Sequence, residues 1–172
     1  MAHLQAPPHL LMLQLAKELF LPTHDKDIAM ENKKTTRANS FNTGIASEYL
    51  ILSLLYRKGV EAYLSQGNKK SIDIRIIKSD GTSISVDVKS VRGYSSLVVN
   101  NVKTNENHYI VFVIYNGKFE QLKELPDFYI VPSKDLFELE LMSSFKNEKR
   151  VMKGKLENYK NEWGYIIENY NE

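Results

Sequence analysis

Ser71–Ile72–Asp73–Ile74–Arg75–Ile76–Ile77, then Lys78–Ser79–Asp80–Gly81–Thr82–Ser83, then Ile84–Ser85–Val86–Asp87–Val88–Lys89, is the stretch that decides the fold. Both flanks alternate and are rich in Ile and Val, the pattern of half-buried strands. Asp80–Gly81 between them is a strong turn signal. Loop length then decides which side chains meet. A two-residue loop (Asp80–Gly81) sets Asp73 opposite Val88 and mixes charged with apolar residues on both sides of the ribbon. A three-residue loop (Ser79–Asp80–Gly81) pairs Asp73 with Asp87, Ile74 with Val86, Ile72 with Val88 and Ile76 with Ile84. One face is then apolar throughout. The other carries Ser71, Asp73, Arg75, Ile77, Ser83, Ser85, Asp87 and Lys89. A three-residue loop wants a left-handed glycine at its third position, where Gly81 stands. Pattern and turn chemistry agree on this register.

Two carboxylates are thereby set opposite each other, with Cβ atoms roughly 4.5–5.5 Å apart. Like charges so placed repel, and a divalent cation between them reverses the sign. Lys89 stands on the same face, two residues beyond Asp87. The hairpin by itself leaves two readings open: a Mg2+ site with a lysine beside it, or a solvated face on which Lys89 neutralises one aspartate.

The chain has 172 residues, a length that suits one domain with a proper core. It has no cysteine, which excludes disulfides, thiolate zinc sites and cysteine nucleophiles and fits a cytoplasmic protein. The net charge of +2 permits nucleic-acid binding without arguing for it. No apolar run reaches transmembrane length, so no membrane partner is expected.

Leu10–Leu21 reads as a short amphipathic helix ended by Pro22, and residues 23–40 as a polar linker. Residues 41–58 read as a core helix, apolar nearly all round and stopped by Gly59. At roughly 100° per residue, Ile45, Ile51, Leu52 and Leu55 lie within about 60° of Glu48. Glu48 is therefore expected inside an apolar stripe, where a carboxylate needs a partner. That partner is a basic side chain, a metal, or the lysine of the hairpin. Val60–Leu64 reads as a short strand and Gln66–Lys70 as a loop. Leu97–Val102 is a short strand or a loop, and Lys103–His108 a loop. Tyr109–Tyr115 is an uninterrupted apolar run that suits a central strand buried on both faces. Phe128–Val131 reads as another strand. Ser133 is a natural N-cap for a helix over 134–139, and 153–168 reads as a final helix with Tyr159 and Trp163 as packing anchors.

Gly44–Ile45–Ala46–Ser47–Glu48, then Ser71–Ile72–Asp73 after a Lys/Asn loop, then Val86–Asp87–Val88–Lys89, resemble the ordered motifs of the PD-(D/E)XK nuclease superfamily. That superfamily includes restriction endonucleases and Holliday junction resolvases, and the likeness to its small bacterial members covers about residues 40–131. The residue before the first acid is Ile72 rather than proline, and the second acid is Asp87; every acid and the lysine are present. The resemblance implies an α/β (α+β) restriction-endonuclease-like αβββαβ core, with a central mixed sheet flanked by helices and a C-terminal helix. It implies a nuclease-like domain over 40–172, preceded by an accessory helix and linker over 1–39.

It further implies a Mg2+-dependent DNA endonuclease in which Mn2+ substitutes. Asp73 and Asp87 hold the ion with the Val88 carbonyl, Glu48 joins them directly or through water, and Lys89 steadies the developing phosphorane charge. Lys69, Lys70, Arg75 and Arg92 become phosphate-contacting candidates. The expected partner is double-stranded or branched DNA, with homodimers a further expectation. The competing reading is a non-catalytic nucleic-acid-binding or assembly module that keeps the fold.

Overall fold

The hairpin forms in the three-residue register. β2 (Ile74–Ile77) and β3 (Ser83–Val91) are antiparallel, with Ile74 opposite Val86, Arg75 opposite Ser85, Ile76 opposite Ile84 and Ile77 opposite Ser83. Lys78 N donates to Thr82 O, Gly81 N donates to Lys78 O, and Gly81 takes φ 82°. The Asp80 carboxylate accepts both the Thr82 amide and its hydroxyl, which pins the loop. Ile74, Ile76, Ile84 and Val86 are all fully buried. The computed structural model describes residues 37–65, 72–93, 96–143 and 148–172. The expected N-terminal helix, most of the polar linker, and Lys69 and Lys70 lie outside the described residues.

The hairpin sits in a five-stranded mixed sheet of order β1-β2-β3-β5-β6, with β1 at Ala62–Leu64, β5 at His108–Ile114 and β6 at Asp127–Pro132. β5 is parallel to β3 and antiparallel to β6. Every residue of β5 is buried, as the apolar run requires of a central strand covered on both faces. Tyr109, Val111 and Val113 enter one core with the first helix and the C-terminal helix. Ile110, Phe112 and Ile114 enter a second core with Leu97, Val99, Val151 and Leu156.

The connection between β3 and β5 differs from the expected αβββαβ order. Its described residues 96–107 contain no helix; they carry β4 (Leu97–Val98), which pairs with β8 (Glu148–Val151). β8 in turn pairs with β7 (Glu140–Ser143), making a small antiparallel sheet. β4 falls within the stretch read as a short strand or a loop, while the short β7 and β8, which include charged residues, gave little sequence signal; the anchors Leu97 and Val151 share a core with the even-numbered face of β5.

Helix α1 runs Arg37–Arg57. Its fully covered stripe is Thr43, Ser47, Ile51 and Leu55, at i, i+4 spacing. The two hydroxyls are satisfied within the helix, Thr43 Oγ1 donating to Asn39 O and Ser47 Oγ to Thr43 O, each at 2.7 Å. Burial all round, as the composition suggested, does not occur: Phe41, Ile45, Tyr49 and Tyr56 are exposed. Only one side of α1 meets the sheet. Gly59, at φ 80°, ends the helix, with Val60 N donating back to Leu55 O.

The helix expected over 153–168 begins later. Residues 153–155 and 157–159 form single 3-10 turns, and a helix (α3) runs Gly164–Asn171. Asn161 at φ 57° breaks the helical path between them. Trp163 is a packing anchor as expected, its ring 5.8 Å from that of Phe128. The 134–139 segment is a 3-10 turn (Ser133–Asp135) followed by the short helix α2 (Leu136–Leu139). Ser133 does not cap it; its hydroxyl donates to Asn105 O and accepts from Asn105 N.

Candidate functional site

Asp73 stands just before β2. Its amide donates to Val86 O and its carbonyl accepts from Ser65 N, so the backbone stays tied to both neighbouring strands. Its carboxylate is held by a second bond, Val88 N donating to Oδ2 at 2.7 Å. That bond fixes the carboxylate against β3, alongside Asp87.

Asp87 is 0% exposed. The polar ribbon face is therefore not solvated here, and a buried carboxylate must be compensated. One oxygen, Oδ1, forms an ion pair with the Lys89 ammonium. The other, Oδ2, has no hydrogen-bond partner. Burial, together with the neighbouring Asp87, pushes the Asp73 carboxyl up to about 6, against the Val88 amide and Lys89, which favour its charge.

Glu48 joins this group from α1. It is half-buried on the shoulder of the covered stripe, next to Ser47, rather than in its middle. Burial raises its carboxyl, the Asp73 charge raises it further, and Lys89 lowers it. The structure thus brings Glu48, Asp73, Asp87 and Lys89 within one electrostatic cluster of three carboxylates and one ammonium. Among the described residues no three acidic or histidine side chains are arranged as a metal cage. The donor set that fits a cation is the Asp73–Asp87 pair. A hard cation such as Mg2+ is ordinarily held by one or two carboxylates, with waters and substrate phosphates completing its shell. Burial is the first cause of the Asp73 rise and the facing Asp87 charge adds to it, so a cation beside the pair would favour both charged carboxylates.

The cationic candidates divide. Arg75 lies half-buried on the hairpin, Nη1 3.4 Å from Ser83 Oγ. Arg92 is already engaged: Nε donates to Thr43 Oγ1 at 2.7 Å, Nη1 to Glu120 at 2.8 Å, and the guanidinium stacks 3.9 Å from the Phe119 ring. It ties α1 to the segment after β5. That same region bounds an apolar cleft of about 500 Å³ lined by Ala46, Leu50, Phe119 and Leu122, which contains none of the candidate residues.

One residue beside the cluster has no counterpart in the sequence reading. His108, taken there as the end of a loop, is the first residue of β5 and only 4% exposed. Its Nδ1 lies 2.9 Å from Ser85 Oγ. Burial lowers its basicity, Lys89 adds to that, and Asp73 and the Ser85 backbone oppose it. No local pattern announces this, because the pairing of β5 with β3 joins segments far apart in the chain.

The fold is a mixed α/β core built on one five-stranded sheet. It is similar to the structure of the bacterial homing endonuclease I-Ssp6803I, with a TM-score of 0.51 and 16% identity over 78% of this chain and 94% of that one. No family model matches the sequence, and no curated protein matches it significantly. Among the described residues no helix is long and apolar enough to cross a membrane.

Proposed function

We propose that the chain is a Mg2+-dependent DNA endonuclease of the PD-(D/E)XK type. The observation that carries the reading is the fully buried Asp87, ion-paired with Lys89 and set beside an Asp73 whose carboxyl is raised. The fold neighbour's being an endonuclease supports it. Asp73 and Asp87 are the residues to hold the ion, with Glu48 reaching it through water and the Val88 carbonyl as a further oxygen donor. When bound, Mg2+ supplies Lewis-acid polarisation of the scissile phosphate and a more acidic water.

The protein's own groups do the rest. The Val88 amide fixes the orientation of Asp73. Lys89, 25% exposed, holds its ammonium at the edge of the pair, where it offers positive charge to the phosphate oxygens. Arg75, with Lys69 and Lys70, supplies phosphate contacts that position the duplex without reading its sequence. Arg92 contributes only if its guanidinium is shared with Glu120. The test is incubation of the full chain with Mn2+ or Mg2+ and linear, supercoiled and four-way-junction DNA, beside Asp87→Ala. Cleavage by wild type alone is expected; equal behaviour of the two proteins, with no thermal stabilisation by either ion, refutes the reading.

One observation favours a second reading. Lys89 already neutralises Asp87, as it would in a nucleic-acid-binding module that uses the pair structurally. Such a module binds the same DNA panel equally well with and without divalent ion and cuts none of it.

A further inference from the structure

His108 stands two register positions from Asp87 along the β3–β5 ladder. β3 and β5 run parallel with Ser85 beside His108 and Asp87 beside Ile110. Residues two apart on a strand share a face, so Asp87 lies on the side where His108 meets Ser85. Ser85 Oγ is 3.3 Å from the Asn107 carbonyl, to which it donates, and 2.9 Å from His108 Nδ1. A hydroxyl has one proton. Given to Asn107, it leaves Nδ1 to donate to Ser85, and Nε2 of the neutral ring then carries a lone pair.

Nε2 of His108 and Oδ2 of Asp87 are the two buried side-chain polar atoms without a hydrogen-bond partner among the described residues. Both accept. A direct bond between them is therefore not available in this tautomer. One water, giving a proton to each, satisfies the two together.

We propose that His108 is a positioning residue for the Asp87 carboxylate, joined to Oδ2 through one bridging water and fixed at Nδ1 by Ser85. The arrangement orients the carboxylate from behind, as outer-shell partners orient ligands in metal sites. The consequence for cation affinity rests on the Asp73–Asp87 reading above.

The test titrates Mn2+ calorimetrically into the full chain as wild type, His108→Gln, His108→Asn and Asp87→Asn, with circular dichroism confirming the fold of each. A glutamine amide reaches the place of Nε2, whereas an asparagine amide reaches only that of Nδ1. His108→Gln keeps wild-type affinity and His108→Asn loses about 10–100-fold, the usual cost of removing an outer-shell partner. Equal affinities in the two variants, or loss in His108→Gln alone, overturn the proposal and leave the metal reading standing. A wild type that binds no more Mn2+ than Asp87→Asn overturns the metal reading itself and the inference with it. The tautomer is read without any loss of fold by nitrogen-15 NMR of the wild-type ring, assigned through His108→Gln. Protonation at Nδ1 is expected; protonation at Nε2 refutes the assignment.

Discussion

Replacing Asp73 by asparagine isolates the electrostatic cost of the carboxylate pair. Asparagine keeps the shape and the acceptor that Val88 N needs, and removes the charge that Asp87 opposes. Asp73 has its carboxyl pushed from 3.8 to about 6 in the folded chain. That is about two units, or about 3 kcal/mol at 1.36 kcal/mol per unit. Partial exposure of Asp73 lets solvent screen part of it, which leaves about 1–2 kcal/mol. The sign follows from linkage. A group whose folded pKa lies above its unfolded one gives its full contribution below the unfolded value and loses it as pH rises through the folded value.

Wild type therefore loses stability relative to Asp73→Asn between about pH 4 and pH 6, and the difference levels above that. Urea unfolding of both proteins in chelator, from pH 4 to pH 8, measures it. The gap between them grows from near zero at the acid end to about 1–2 kcal/mol in favour of the variant at pH 7. Added Mg2+ then stabilises wild type and leaves Asp73→Asn nearly unchanged, which narrows or inverts the gap. A gap that is flat with pH, or one that favours wild type in chelator, refutes the account of the pair. Equal stabilisation of both proteins by Mg2+ refutes Asp73 as a ligand.

Lys89→Met leaves the buried Asp87 without its cation and destabilises the metal-free chain by about 3–5 kcal/mol in urea unfolding, with cleavage lost; Asp87→Asn in the same chain restores most of the stability and none of the cleavage. Gly81→Ala and Gly44→Ala differ in sign, although neither new methyl meets an atom within 4 Å. The first forces a side chain into φ 82° and costs about 1–2 kcal/mol, while the second adds helix propensity to α1 and gains about 0.5–1 kcal/mol. Arg75→Ala lowers the salt dependence of DNA binding by about one counterion with unfolding unchanged. Arg92→Ala acts on unfolding instead, because it removes the tie between Thr43, Phe119 and Glu120.

The register of the hairpin was legible in the sequence because everything that sets it is local. Alternation, loop length and the left-handed requirement at Gly81 act within one short span, and they leave one pairing that puts Ile74, Ile76, Ile84 and Val86 together. The apolar run 109–115 likewise suited a central strand, because it is too short for a core helix and rich in β-branched and aromatic residues. The order of Glu48, Asp73, Asp87 and Lys89 was visible as well, but the hairpin by itself left a metal site and a solvated face both open, and only the family resemblance chose between them. Other features depended on contacts between distant segments. Glu48 moved from the middle of a stripe to its shoulder because only the sheet decides which side of α1 is covered. Arg92, named from sequence as a phosphate candidate, also ties Thr43, Glu120 and Phe119 together, contacts that only packing sets. The small sheet of β4, β7 and β8 arose where short charged strands found the far face of β5. Asp87 became fully buried, and His108 came to stand beside it, only through the parallel pairing of β3 with β5. Side-chain periodicity records which residues share a face, and tertiary packing alone decides whether that face meets water, another strand or a neighbouring charge.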